Sequence, residues 1–323
     1  MSNFPRFRHD PARAQPRAPA RQSLSNLRRS LRRHGQLYLL LLPALVYFGV
    51  FHYGPMYGLQ VAFKDFSVTQ GIWESPWAGL EYFGRFFSSY QFPMVLRNTL
   101  LLSLYQLALF PVSILVALSL NEVRDGPFRR FAQTVTYAPH FVSVVVTVGL
   151  LLTFLHPATG IVNRTIQALG GQPVAFMTDP AWFRTVFVLS GEWQNLGWGA
   201  IIYLAALAAV DPQLHEAAVM DGANRAQRIR HVDLPGIVPT VVILFILQLG
   251  TLMSVSFEKV YLMQTPLNLA SSEVIQTYVY KAGLLGAQYS FSAAAGLFNS
   301  VVNLALLVSV NRLAGRVTGT RLW

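Results

Sequence analysis

The stretch Asp211-Pro212-Gln213-Leu214-His215-Glu216-Ala217-Ala218-Val219-Met220-Asp221-Gly222-Ala223-Asn224, running on through Arg225 to Asp233 and then Leu234-Pro235, decides how this chain is read. Asp211 is a good N-cap and Pro212 suits a first helical turn, so a short helix begins there. Gly222 can adopt the left-handed conformation that ends it. Asn224 can cap a second short helix, and Leu234-Pro235 is expected to stop that one. The product is a compact helix-turn-helix. Ala217 and Ala218 expose little side chain and let the helix lie deep in a partner's groove. Glu216 offers a carboxylate for a partner arginine, and Gly222 holds the sharp turn. Taken alone, a Glu-Ala-Ala triplet is equally compatible with an ordinary amphipathic loop helix.

On both sides of this stretch the chain is apolar. Of 323 residues, 53% are hydrophobic and 12% charged, and the mean hydropathy is +0.40. That is the composition of a protein solvated by lipid. A bilayer core of about 30 Å needs about 20 apolar residues per helix. Six stretches reach that length, at residues 37–60, 98–120, 136–156, 185–208, 237–256 and 291–312. The first run continues from Leu37 through Tyr53 to Val61. It exceeds a signal-peptide core of about 7 to 15 residues and is read as a retained helix.

The net charge of +11 is unevenly placed, with nine arginines among residues 1–34. Beside a hydrophobic segment such a run is a cytoplasmic topology signal that also touches anionic headgroups. A nucleic-acid arm would interleave aromatics, and only Phe4 and Phe7 are present. This proline-, alanine- and serine-rich segment is expected to be mostly disordered. With it inside, residues 1–36, 121–135, 209–236 and 312–323 hold 18 of the 25 lysines and arginines. Both termini are therefore expected in the cytoplasm, with external loops near 61–97, 157–184 and 257–290. Phe83, Phe86, Phe87 and Tyr90, close to Trp73 and Trp77, fit either a helix lying along the interface or a belt that anchors helix ends.

The spacing of Glu216-Ala217-Ala218, then Gly222 four residues on, then Leu234-Pro235, in a cytoplasmic loop between late spans, resembles the EAA loop of the inner-membrane subunits of binding-protein-dependent ABC importers. These share the type I, MetI-like permease fold: an all-α integral membrane protein, here with six transmembrane helices and both termini inside. The run from Trp193-Gln194-Asn195-Leu196-Gly197-Trp198-Gly199 into Ile201-Ile202-Tyr203-Leu204 is similar to the LplB-like oligosaccharide permeases. So are Thr265-Pro266-Leu267-Asn268 and Ser272 to Tyr280. Within that branch the chain most resembles the first permease subunit of a bacterial alginate importer. The likeness covers roughly residues 36 to 313. It implies a basic arm at 1–35, a first transmembrane helix and external interfacial loop at 36–97, a core permease domain at 98–313 carrying the EAA loop at 211–235, and a cytoplasmic tail at 314–323.

The resemblance implies a bacterial inner-membrane location. It also implies four kinds of partner: a second permease subunit, two ATPase subunits, an external solute-binding protein, and an oligosaccharide or polysaccharide substrate. No nucleic acid is implied. Glu216, Ala217, Ala218, Asp221 and Gly222 would form the ATPase-docking surface, with Arg225 and Arg228 at its rim. Asp221 and Arg225 also fit an internal i,i+4 pair worth about 0.3–0.5 kcal/mol. ATP and Mg belong to the partner. A phosphate-binding loop needs Gly-Lys-Ser or Gly-Lys-Thr, whereas the lysines here are Lys64, Lys259 and Lys281, none in that context. With no cysteine, thiolate metal sites and cysteine nucleophiles are excluded. The seven histidines show no metal-ligand spacing. The chain is read as non-catalytic, without a metal or a cofactor of its own.

Polar residues at membrane depth face a cavity or a partner helix. Glu192, Gln194, Asn195, Gln248 and Asn299 are candidates for the substrate path, with Trp193, Trp198 and Tyr203 offering flat faces to sugar rings. Helix-to-helix bonding is the competing role, most of all for Asn303, with Gly197 and Gly199 permitting close approach. Glu258 and Lys259 are expected to pair with each other. Two rival classes remain. An ion-driven secondary transporter would show matching halves with broken helices, and none is visible. A membrane enzyme acting on lipid-linked sugars would need a second carboxylate beside Glu192, and none lies at comparable depth.

Overall fold

The protein, seen here as a computed structural model, is described for residues 35–323; the basic arm at 1–34 lies outside the described residues. The chain forms two compact units divided after Gly58. The described part of the first unit is helical: α1 (Gly35–Phe48), a widened turn at Gly49–Tyr53 and a further turn at Gly54–Met56. Its side chains, leucine-rich and uncharged, are exposed.

The second unit, Leu59–Trp323, is also helical, with no strand among the described residues beyond one isolated bridge. Its first helices are α2 (Glu81–Phe87), α3 (Phe92–Ala108), α4 (Phe110–Glu122), α5 (Pro127–Tyr137), α6 (Val144–Phe154) and α7 (Ile161–Ala168). There follow α8 (Pro180–Ala208), α9 (Pro212–Met220), α10 (Arg225–Arg228), α11 (Leu234–Gly250), α12 (Phe257–Met263), α13 (Ile275–Tyr280) and α14 (Tyr289–Val317). Four described helical stretches are long and apolar enough to cross a membrane: Gly35–Phe63, Phe92–Glu122, Arg225–Gly250 and Tyr289–Val317. Two bent pairs raise the number to as many as six.

One bent pair corrects the expectation of a single span over 136–156. α5, with its extension to Phe141, meets α6 at 102°. Proline at 139 and the Ser143 side chain, which accepts from the Val146 amide at 3.3 Å, start a new helix of only 11 residues. The stop expected at Leu234-Pro235 is also absent. The chain passes from α10 into α11 through a widened turn at Ile229–Asp233. Such a turn moves the carbonyl that the Pro235 ring would strike, so the helix continues.

α8 is the axis of the second unit. Along its first half, Phe183, Phe187 and Val188 pack with Leu102, Val148, Val260 and Met263 from α3, α6 and α12. Along its second half, Ala200, Tyr203 and Leu207 pack with Ile114, Ala117 and Ile237 from α4 and α11. Lipid tails are as apolar as these side chains, so close fit rather than water exclusion holds spans together. Phe86 on α2 is fully buried against Phe291 and Phe298 of α14, whereas Phe87, Tyr90, Trp73 and Trp77 are exposed. The loops before α8 and after α12 are tied by buried amides. Asn98 donates to the carbonyls of Ala270 and Glu273, both at 3.0 Å, and accepts from Arg184 at 2.9 Å. Asn268 donates to the carbonyls of Met177 and Met263 at 2.9 and 3.0 Å. These bonds satisfy irregular backbone that neither lipid nor water can reach.

Candidate functional site: a capped helical knob and a polar cavity beside α8

The first candidate is the loop around α9. The Asp211 carboxylate accepts from the Gln213 amide at 2.9 Å, and Pro212 fills the first turn. At the far end Gly222 has φ +78°. The Ala223 amide donates to the Ala218 carbonyl at 2.9 Å and the Gly222 amide to that of Val219 at 3.0 Å. This Schellman pair closes the helix. Asn224 and Gln227 then exchange bonds at 2.8 and 3.0 Å, a capping box that opens α10. Glu216, Ala217, Asp221 and Gly222 are exposed, and Ala218 is half-buried. Asp221 and Arg225 form no ion pair, because the left-handed turn interrupts the helix between them. Arg225 is exposed and Arg228 half-buried.

Two functional features of this loop had no signal in the sequence. Leu214, Val219 and Met220 are exposed, Met220 at 87%, so the knob presents apolar as well as acidic surface. The second is the root of the loop. Asp233 is 1% exposed, neither of its oxygens has a hydrogen-bond partner, and His215 Nε2 stands 3.3 Å from Oδ1. His215 on α9 thus ties the knob to the start of α11. A buried carboxylate without its partner is costly, whereas removing both groups restores an apolar contact. Replacing His215 by Ala is expected to lower stability by about 1–3 kcal/mol, and adding Asp233→Leu to recover most of that loss. A double-mutant cycle on thermal unfolding measures it; equal, additive losses would mean the two side chains do not interact.

The second candidate is a cavity of about 550 Å³ between α3, α4, α8 and α11. Glu192, Asn195, Trp198, Tyr203 and Gln248 line it together. The sequence reading missed Gln106, Phe110, Ser113 and Thr251, which complete the wall. Glu192 is the one charged residue among the lining side chains. Trp198 is pinned from behind: His140 stacks on it at 4.5 Å with 4° between the rings, and His140 Nδ1 lies 3.2 Å from Asn195 Oδ1. Asn195 in turn donates to the Gly191 carbonyl at 2.9 Å. The fold-back of residues 127–141 creates this brace, and no local pattern announces it.

The other candidates lie elsewhere. Gln194 is 8% exposed and donates to the Val142 carbonyl at 2.6 Å, joining α8 to the break before α6. Trp193 is half-exposed and outside the cavity wall. Asn299 lines a separate cleft of about 390 Å³ with Gln276, Phe257 and Tyr280. Asn303 accepts from the Met253 amide and donates to Ser254, both at 2.9 Å, so it joins helices. The expected Glu258–Lys259 pair does not form. Lys259 is 4% exposed, donates to the Phe187 carbonyl at 3.0 Å and lies 5.1 Å above the Phe187 ring.

The family described as "Binding-protein-dependent transport system inner membrane component" matches residues 110–319. Protein LplB of Bacillus subtilis (strain 168) is 45% identical over 286 residues, covering 88% of this chain and 90% of its own. The polygalacturonan/rhamnogalacturonan transport system permease protein YteP of the same organism is 45% identical over 279 residues, covering 86% and 87%. A solved bacterial ABC transporter involved in the import of the acidic polysaccharide alginate contains a chain 41% identical to this one. It has a TM-score of 0.84 and covers 90% of this chain and 99% of that one. A bacterial alginate ABC transporter in complex with alginate pentasaccharide-bound periplasmic protein matches with a TM-score of 0.85, again at 41% identity, over 92% and 99%.

Proposed function

The chain belongs to the inner-membrane components of binding-protein-dependent transport systems, and from that premise we propose that the cavity beside α8 is its half of a path for an acidic oligosaccharide or polysaccharide of the alginate type. It is a multi-pass permease subunit of a sugar ABC importer. The observation that carries the path reading is the convergence of Glu192, Asn195, Trp198, Tyr203 and Gln248 on one cavity. A planar indole held rigid by His140, ringed by amide and hydroxyl groups, suits a sugar ring that offers one apolar face and many hydroxyls.

The rest of the transporter follows from the family. Six spans with both termini in the cytoplasm put α9 on the inner face, where the excess of arginine lies. There the exposed knob docks into a separate ATPase pair that binds ATP and Mg, with Glu216, Ala217, Ala218, Asp221 and Gly222 at the contact and Arg225 and Arg228 at its rim. A second permease subunit closes the other half of the path, and an external solute-binding protein delivers the sugar. The polygalacturonan/rhamnogalacturonan permease and the alginate importers among its relatives support a saccharide cargo and, for the alginate systems, an acidic one.

Reconstitution of the complete importer tests the path. Trp198→Ala is expected to slow uptake of an alginate oligosaccharide about tenfold, the worth of one aromatic stacking contact, while ATP hydrolysis without binding protein stays unchanged. Uptake at the native rate would remove the cavity from the path.

A further inference from the structure

The cytoplasmic end of α14 carries a second constellation, independent of the path and of the knob. Arg312 and Arg316 stand one turn apart, and beside them Leu313 and Val317, also one turn apart, are 60% and 74% exposed. The tail then doubles back. Gly319, at φ +71°, makes the turn, and Thr318 Oγ1 donates to the Ala314 carbonyl at 2.9 Å. Asn311, 3% exposed, accepts from the Leu322 amide at 2.8 Å. This clasp lays the Arg321 stem over Gly315 and brings Arg321 and Trp323 to the same cleft as Arg312 and Arg316, with a volume of about 430 Å³.

No acidic side chain lines that cleft, and none of the three guanidinium groups has an ion pair among the described residues. The contrast is the basic cleft at the start of α5, where Asp125 already pairs with Arg129. Favourable interaction with the helix C-terminus accounts for Arg316. It does not account for a tail that returns to add a third permanent positive charge. Like charges gathered in this way call for an anion, and the planar, five-donor guanidinium matches phosphate oxygens. Trp323 lines the cleft, and Leu313 and Val317 are exposed on the same helix end, apolar surface that suits an amphiphilic ligand and that a free anion has no use for.

We propose that Arg312, Arg316, Arg321 and Trp323 form a binding site for one anionic phospholipid, the guanidinium groups holding its phosphate and Trp323 with the neighbouring exposed apolar side chains its first methylenes. The complete importer, purified in detergent, is titrated with phosphatidylglycerol, phosphatidylcholine or inorganic phosphate, and retained lipid is counted by native mass spectrometry. Each basic residue near an anionic lipid contributes about fivefold in affinity. The native chain should therefore retain phosphatidylglycerol over phosphatidylcholine, and R312Q/R316Q/R321Q should weaken retention about 100-fold. Asn311→Leu, which unclasps the tail with every charge kept, should weaken it about fivefold. R124Q/R129Q/R130Q should change nothing. Retained ATP hydrolysis by each variant complex shows that it is assembled. Undiminished retention in the triple variant, or equal retention of phosphatidylcholine, would leave only annular lipid and overturn the site. Displacement by millimolar inorganic phosphate would make it a free-anion site and overturn the lipid.

Discussion

Gly222→Pro is expected to abolish the stimulation of ATP hydrolysis by substrate-loaded binding protein, and Glu216→Ala to remove most of it, with both chains still inserted in the membrane. Residue 222 sits at φ +78°, and proline is confined near −65°, so the closing turn of α9 cannot form. Proline also removes the amide that donates to the Val219 carbonyl. A graded series separates this from a general loss of fold. Asn tolerates the left-handed region and should keep stimulation. Ala pays about 1–2 kcal/mol there, but its Cβ meets nothing within 4 Å, so it should fall between the two. At Glu216 the carboxylate is exposed and available for a charge-assisted bond. Losing such a bond costs about 1.5–3 kcal/mol, or about 10- to 150-fold in docking. Full stimulation after both substitutions would show that the knob is not the ATPase contact.

A second large effect is expected at Gly197. There α8 crosses the end of α5 so closely that a Cβ would lie 2.2 Å from the Thr136 carbonyl oxygen, 2.5 Å from its carbon and 2.7 Å from the Tyr137 ring. Two of those atoms are backbone and cannot rotate away. Gly197→Ala should therefore cost about 3 kcal/mol, a fall of about 6–12 °C in the unfolding midpoint. Because the same fold-back carries His140 onto Trp198, uptake should fall with it. Gly199, two residues on, provides the control. Its added Cβ would meet Ser113 Oγ at 2.8 Å, the end of a side chain that can change rotamer. Gly199→Ala should cost about 1 kcal/mol. Thermal unfolding of the two purified variants decides the matter; equal losses would mean that the crossing is looser than the structure has it.

The caps of the knob were legible in the sequence. Asp211, Gly222 and Asn224 act through bonds spanning two to five residues, and the residue types that make such bonds are few. Hydropathy likewise marked five of the six apolar stretches to within a turn or two at most ends. It failed at 136–156, where a window average cannot see that proline and a serine cap divide an apolar run between two helices at 102°. It also misjudged Pro235, because a widened turn upstream relieved the clash that a proline ordinarily makes. Of eight polar and aromatic residues proposed for the path, position along α8 and α11 brought five to one cavity. Gln194, between Glu192 and Asn195 in the chain, was turned to a carbonyl instead.

By itself the sequence determined the length and polarity of the segments and the local code of the knob, since lipid solvation and helix capping act on neighbours and leave periodic or positional marks. Only the tertiary structure decided which polar groups share the cavity, that His140 braces Trp198, that His215 meets Asp233, and that three arginines and a tryptophan close on one cleft. Those pairings join residues as far apart as His140 and Asn195, 55 positions, or Asn98 and Glu273, 175 positions. Inside a bilayer they depend on close fit and on satisfying each buried polar atom, and no local pattern in the chain encodes either.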